Sequence, residues 1–409
     1  MVVTIADQTL QLVSMKKSAG VGNTKVSIDI PNDLAFSILS KMSIKSLKRF
    51  ECVCKPWTLL LKNPIFTRLF YDNFLYNNDC YYHNRSLFLH HLIDINSETK
   101  FMLYSYSGER YESMTKLNWP NPFQEEDPDF DILGSGIING VLCLISCSHP
   151  TLKFVLWNPT TQELKVIPNS PFDFVGDELD ITAHGFGYDC VGDDYKVIRE
   201  ISLDLEYLES DYDIEIVSLG KISHNPFWEI YSLRSNSWKK LQYDIRHEYS
   251  SKGVCLDGVC HWWCESNYND DKDDGIYLLS FYLNDEVFLI TPIEDHTFEL
   301  GTTTRELCVL NGFIALISTN KQMESLHISI LGELGVKESW TKLFIVCPMP
   351  YIKYSTGVGK KGDILLVKED GKLLRFNLST QQIEELKFAG SQFLGRTILY
   401  KESLLPILE

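Results

Sequence analysis

The run CLDGVCHWWCES places Cys255, Cys260, His261 and Cys264 close together, and these are the atom types that hold zinc. A structural zinc site uses pairs of closely spaced cysteines that converge from two loops. Here Cys260 and Cys264 lie inside an apolar run, so in an extended chain they share one face while His261 takes the other. A buried strand is therefore expected, and Cys143 and Cys147 repeat the same spacing in a similar run. The stretch TGVGKKGD (356–363) offers backbone amides for a phosphate. It lacks the earlier glycine of a phosphate loop, and Lys361 stands where a hydroxyl should meet magnesium, so a hairpin turn is expected. NDDKDDG (269–275) resembles half a calcium loop, but Lys272 fills a ligand position and Phe281 stands where a bidentate Glu is needed. It reads as a solvated acidic loop. The chain has no G-x-S-x-G elbow and no H-E-x-x-H pair. The expectation is no catalytic residues, no metal and no cofactor, although distant loops could still assemble a site.

The chain of 409 residues is 44% hydrophobic and 23% charged, enough apolar material for a sizeable core. Its net charge of −17 argues against general nucleic-acid binding, which rewards clustered Lys and Arg. No apolar run approaches the roughly 18 residues that a membrane span needs. The N-terminal stretch is a poor secretory signal, so the 11 scattered cysteines are expected to be reduced in a cytoplasmic or nuclear protein.

Two textures divide the sequence. Residues 1–27 read as a disordered leader. In 30–66 apolar residues fall at helical spacing: Leu34, Ile38, Leu39 and Met42 on one face, then Leu47, Phe50, Val53 and Cys54, then Trp57, Leu60 and Leu61. Asn32 or Asp33 can cap the first helix, and Pro56 suits the first turn of the third. Three short helices in under 40 residues cannot bury that much apolar surface alone. Between 30 and 70 there are seven Lys or Arg against two acids, a balance of +5 that leaves the remainder at −22. A basic, aromatic helical patch suits an acidic protein partner.

From about residue 85 short apolar runs alternate with Gly, Asn, Asp and Pro clusters, the pattern of antiparallel strands. A turn with Gly before an apolar run recurs as INGVLCLI (138–145), LDGVCHWW (256–263), LNGFIALI (310–317) and KKGDILLV (360–367). A second unit, strand then polar turn then strand, recurs as FVLWNPTTQELKVIP (154–168), EIYSLRSNSWKKL (229–241), ISILGELGVKESWTKL (328–343) and LLRFNLSTQQIEEL (373–386). Gly258, Gly312 and Gly362 are 54 and 50 residues apart. A period near 50 with several strands per repeat predicts propeller blades, about six of them. A stack of β-sandwiches is the competing arrangement.

The helical segment resembles an F-box, through its Ile-Pro opening, Leu34, Ile38-Leu39, Leu47, Arg49-Phe50, Val53-Cys54-Lys55, Trp57 and the closing NPIF. Met42-Ser43 and Pro56 depart from the usual pattern. VLWNPTTQELKVIP and GFGYDCVGDDYKVIRE (185–200) resemble the F-box-associated domain of plant F-box proteins, often described as kelch-like, although no adjacent Gly-Gly pair is present. The resemblance implies an α+β multidomain chain: a short three-helix F-box followed by an all-β propeller-like domain of about six degenerate blades. The expected division is a leader over 1–27, the F-box over 28–72, a linker with first strands over 73–100, the β domain over 101–395 and a tail over 396–409. It further implies docking on a Skp-type adaptor, and through it on a cullin-RING ligase, by Pro31, Leu34, Ile38, Leu39, Leu47, Val53, Cys54 and Trp57. The β domain would then hold an unknown protein target for ubiquitination. Tyr207 and Tyr212 in the acidic run LDLEYLESDYDIE, with Trp262 and Tyr268, are the target-binding candidates. The alternative is a scaffold whose helices cap its own β domain.

Overall fold

The computed structural model describes residues 85–407 apart from connecting residues, the longest such segments being 148–152, 172–178, 204–225, 266–275, 294–302 and 387–394; ahead of residue 85 it describes Leu39 and Leu59. The described residues form six antiparallel sheets, each the width of one blade. The first contains β1 (Ser86–Ile95), β2 (Glu98–Ser107) and β3 (Ser113–Leu117). The second contains β4 (Phe130–Ile138), β5 (Val141–Ser146), β6 (Phe154–Asn158) and β7 (Glu163–Val166). The third contains β8 (Leu179–Asp189), β9 (Asp194–Leu203), β10 (Phe227–Ser232) and β11 (Ser237–Lys240). The fourth has an interrupted inner strand, β12 (Glu248–Tyr249) and β13 (Val254–Leu256), then β14 (Val259–Glu265), β15 (Ile276–Tyr282) and β16 (Val287–Pro292). The fifth holds β17 (Thr303–Leu310), β18 (Phe313–Asn320), β19 (Ser325–Leu331) and β20 (Trp340–Val346). The sixth holds β21 (Ile352–Val358), β22 (Ile364–Lys368), β23 (Leu373–Phe376) and β24 (Ile383–Glu385).

The last strand, β25 (Gly395–Tyr400), returns to pair with β1 and supplies the missing inner strand of the first sheet. Residues 396–400, expected in a tail, therefore belong to a blade. This closes a six-bladed all-β propeller. The recurrent tight turns are the reason the repeat was legible. Asn139-Gly140 and Asp257-Gly258 both adopt positive φ (53° and 82°, 49° and 77°), the turn that matches the twist of two flanking strands. Each joins an inner strand to its neighbour.

The second and third strands read as continuous apolar runs because both faces are covered by adjacent blades. Alternation splits each strand between two junctions. Val141 and Cys143 of β5 pack with Phe186 and Val197 of the third blade, whereas Leu142 and Leu144 pack with Phe88 and Leu103 of the first. Six separate apolar cores result, one at each junction, and the sixth joins Leu87 and Leu89 of the first blade to Leu365 and Val367 of the last. Two packed sheets would share one core; six cores in a cycle require a ring.

The inner strands all run the same way, so the two rims differ. One rim carries the tight turns, and the chain enters there at Ser86, paired with Tyr400. Residues 401–407 cross the same rim: Asn158 Nδ2 donates to Ser403 O (3.1 Å) and Leu405 O (3.3 Å), and Ile407 N donates to Glu163 Oε2 (3.0 Å). An added Cβ on Gly140 would lie 2.3 Å from Ser403 Cβ, so glycine is required here for close approach as well as for φ. The opposite rim carries the long connections, including 204–226 and 266–275.

Candidate functional site

The inner strands begin at the long-connection rim, and polar side chains from five blades gather around the channel within a few residues of that start. Asp131 is the second residue of β4, Arg396 the second of β25, Tyr354 the third of β21 and Glu306 the fourth of β17. His184 lies further down β8. Arg396 Nη1 donates to Gly134 O of the second blade, and its Nη2 is 3.5 Å from Asp131 Oδ1. Both Asp131 and Glu306 favour its charge, against a burial that pulls its pKa down. Asp131 also faces His90 Nδ1 at 3.5 Å, and His90 Nε2 lies 3.2 Å from Phe130 O. Tyr354 accepts the Gly395 N–H through its hydroxyl (3.1 Å), and its pKa is raised, by burial first and then by Glu306.

A floor lies beneath this cluster. Gly134 N donates to His184 Nδ1 (3.1 Å), while His184 O accepts from Gly253 N (3.3 Å) and from Trp262 Nε1 (3.0 Å). A Cβ on Gly134 would meet Phe186 N at 3.3 Å and Gly253 O at 3.7 Å, so the second, third and fourth blades touch here. The arrangement is a polar cluster at one mouth of the channel, over a packed base.

Trp262 was expected to touch a target and does not. It is fully buried, stacked edge-on against Trp228 at 5.2 Å in the junction of the third and fourth blades. Its place is behind the floor, and the strand alternation that buries Cys260 and Cys264 buries it with them. Tyr207, Tyr212 and Tyr268 lie outside the described residues, as do Pro31, Leu34, Ile38, Leu47, Val53, Cys54 and Trp57. Leu39 is helical and buried, 1% exposed, so in the free chain its side chain is already withdrawn from a partner. Leu59 is helical and 72% exposed. None of the channel residues was singled out from sequence. Their positions span residues 131 to 396, and only ring closure brings them together.

The zinc-type residues act as core. Cys255 and Cys260 face each other across β13 and β14, and the contact with Cys255, followed by burial, raises the Cys260 thiol pKa. Cys143 is likewise buried, whereas Cys147 lies just past β5 and is exposed. His261 lies 2.9 Å from Ser280 Oγ, and burial pushes its pKa down to about 3. An unfolded histidine titrates near 6.5, so below that pH the unfolded chain binds a proton that the folded one refuses. Stability contributed by neutral His261 is whole above about pH 6.5 and is lost as pH falls toward 3, at about 1.4 kcal/mol per unit. Urea midpoints of wild type and His261→Asn, taken from pH 7 to 4, should converge on acidification; parallel curves would show that His261 does not carry this dependence.

Comparison with known proteins places two families on the chain. Residues 91–396 match the F-box associated beta propeller domain, and residues 28–69 match the F-box domain. Among relatives, "Putative F-box protein At3g16210" of Arabidopsis thaliana is 25% identical over 327 residues, covering 79% of this chain and 75% of its own. "F-box/WD-40 repeat-containing protein 1" of the same plant is 25% identical over 328 residues, covering 78% and 68%.

Proposed function

The chain belongs to the F-box associated β-propeller family and carries an F-box ahead of its propeller, and on that premise we propose that it is the target-binding subunit of a Skp–cullin–F-box ubiquitin ligase. The family's architecture is that of substrate receptors, which are generally non-catalytic. The basic helical segment docks on an acidic Skp-type adaptor, using Pro31, Leu34, Ile38, Leu47, Val53, Cys54 and Trp57, with Leu39 as internal support. The propeller then holds a target protein close to the charged ubiquitin-conjugating enzyme, and the acceleration comes from proximity. The observation that carries this reading is the division of labour between rims: the chain leaves the F-box and enters at the tight-turn rim, while the polar channel mouth opens on the other. A target bound at the mouth would not compete with the adaptor. The free cysteines of the described residues suit a cytoplasmic or nuclear setting.

A pull-down of the full chain with a plant Skp-type adaptor tests this. Wild type should be retained, and a Leu34→Asp, Trp57→Ala double variant should lose at least ten-fold in affinity. Equal binding by both, or by neither, sinks the receptor reading. The second reading, a scaffold whose helices cap its own propeller, draws on the burial of Leu39. It expects a monomer with no adaptor affinity, and the same pull-down decides between them.

A further inference from the structure

We infer that the aromatic segment joining the F-box to the propeller, residues 70–84, seats on the tight-turn rim against Val191 and Phe313 and so fixes the F-box to one end of the ring. The inference goes beyond the receptor reading and holds whether or not an adaptor binds. Nine large apolar side chains of the described propeller residues are exposed. Five of them lie within two residues of a connection on this rim, one in each of the second to sixth blades: Leu164, Val191, Val287, Phe313 and Ile383. Single exposed apolar residues are ordinary on a surface; their recurrence on one rim is not. Val191 and Phe313 belong to turns between inner and second strands, beside the channel, and are 78% and 46% exposed. The fourth-blade turn lies between them, and a Cβ on its Gly258 would stand 3.2 Å from Tyr188 O of the third blade. A Cβ on Gly312, next to Phe313, would meet nothing within 4 Å. The rim is therefore continuous from the third blade to the fourth and open at the fifth.

The chain itself supplies the cover. The F-box match ends at residue 69 and β1 begins at Ser86. Between them stands FYDNFLYNNDCYYHN (70–84), outside the described residues, in which six of fifteen residues are aromatic, or 40%, against 12% for the whole chain. Segments that remain in solvent are poor in aromatics, because they cannot bury enough apolar surface to repay ordering. This one has the opposite composition, and it enters the ring on the rim that carries the exposed apolar residues. Fifteen residues span roughly 50 Å when extended and about 22 Å as a helix. A blade of four strands about 4.8 Å apart is roughly 15 Å deep, so either length reaches the inner turns. The other end of the chain already behaves this way. Residues 401–407 cross the rim over the second blade, with Ser403 against Gly140 and Ile407 buried in the core between the second and third blades. Among the described residues that leaves the turns of the third to sixth blades uncovered. Charge agrees: the segment carries Asp72 and Asp79 with no Lys or Arg, and the turn of the sixth blade, neighbour of the first, carries Lys360 and Lys361.

Native cysteines make the test direct. Cys80 lies in the segment, Cys190 is exposed beside Val191, and Cys147 and Cys347 are exposed just past β5 and β20 on the opposite rim. The full chain, without adaptor and dilute, is treated with a short bismaleimide, each end of which adds one thiol across its double bond to form a thioether. Linked peptides of the monomer are then identified by mass spectrometry. Cys80 should link to Cys190 and not to Cys147 or Cys347. A Val191→Asp, Phe313→Asp variant should lose that link, and chymotrypsin, which cuts after aromatic residues, should cleave within 70–82 at least about ten-fold faster in it than in wild type, because cleavage follows the undocked fraction. A Tyr81→Ser, Tyr82→Ser variant leaves the propeller untouched and should lose the link likewise. Linkage of Cys80 to all three cysteines alike or to none, wild-type cleavage as fast as in the variants, or protection that appears only at high protein concentration or only with adaptor bound would each overturn the inference. Adaptor capture is measured separately, so its loss beside an intact Cys80–Cys190 link is a failure of the receptor reading alone.

Discussion

Arg199→Met is expected to destabilise the propeller by about 3–5 kcal/mol, a third or more of the stability of an ordinary domain. Arg199 and Glu229 are register partners on β9 and β10, and both side chains are wholly buried. Arg199 Nε and Nη2 each lie 2.6 Å from Glu229 Oε1, and Ser170 Oγ donates to Oε2 at 2.6 Å. The guanidinium also lies over Phe154 (4.9 Å) and Trp238 (4.5 Å), so it joins the second blade to the third. Removing the arginine leaves a buried carboxylate without its guanidinium. The cost is that of an uncompensated charge, and so exceeds what the pair contributes over an apolar substitute. An Arg199→Met, Glu229→Leu double variant should therefore recover most of the loss, short of the two ring contacts and the Ser170 hydrogen bond. Urea unfolding at constant m measures both. A single variant within about 1 kcal/mol of wild type would mean that water or a rearranged partner reaches Glu229.

This pair shows where sequence reasoning stops. Local rules were enough for the blades. Gly140, Gly258, Gly312 and Gly362 mark the turns between inner and second strands, each with positive φ, and a turn declares itself within four residues. The polar units after Asn158, Tyr231 and Phe376 mark the outer hairpins, whose closing residues Gln162, Asn236 and Gln381 also take positive φ. Period and blade number followed from these. Which face of a central strand meets solvent did not follow, because neither face of the second and third strands of a blade does. The run HWW was expected in a buried strand and still offered Trp262 as a target-binding candidate beside an acidic loop; Trp262 is sealed between two blades and Trp263 is partly buried at the next junction. Arg199, Glu229 and Arg396 look like ordinary surface charges in sequence. Their partners are 30, 30 and 262 residues away, brought near by sheet pairing in one case and by closure of the ring in the other. The channel mouth was illegible for that reason. It has no motif, only an address: the first few residues of inner strands whose order around the axis must be known before they can be grouped.

Ending the chain at residue 394 is expected to abolish cooperative folding, whereas ending it at 400 should leave a folded but weakened propeller. The sequence GRTILY (395–400) is unremarkable by itself, and its partner β1 lies some 300 residues earlier. Without β25 the first blade loses its inner strand, and β1 presents a six-residue row of unpaired backbone groups, from Ser86 to His91, to the channel. Ile398 and Tyr400 are both buried, Tyr400 stacks on Phe88 with ring centres 4.4 Å apart, and Gly136 is glycine to admit Ile398. Each such side chain contributes about 1.5–3 kcal/mol of burial, and the backbone bonds and the Arg396–Gly134 contact go with them. The sum reaches the whole stability of a typical domain. Because every blade is held by its two neighbours, a gap at one junction exposes the cores on both sides of it. Loss of 401–407 alone removes the acceptors of Asn158 and the burial of Ile407, a penalty of about 2–4 kcal/mol. Thermal melts followed by near-ultraviolet circular dichroism separate the cases: no transition for the shorter chain, a cooperative transition at lower temperature for the longer. A synthetic peptide of residues 393–409, added in excess to the shorter chain, should restore the transition, because what is missing is a strand for a prepared edge. A shorter chain that melts cooperatively within a few degrees of wild type would show that the ring does not depend on this closure.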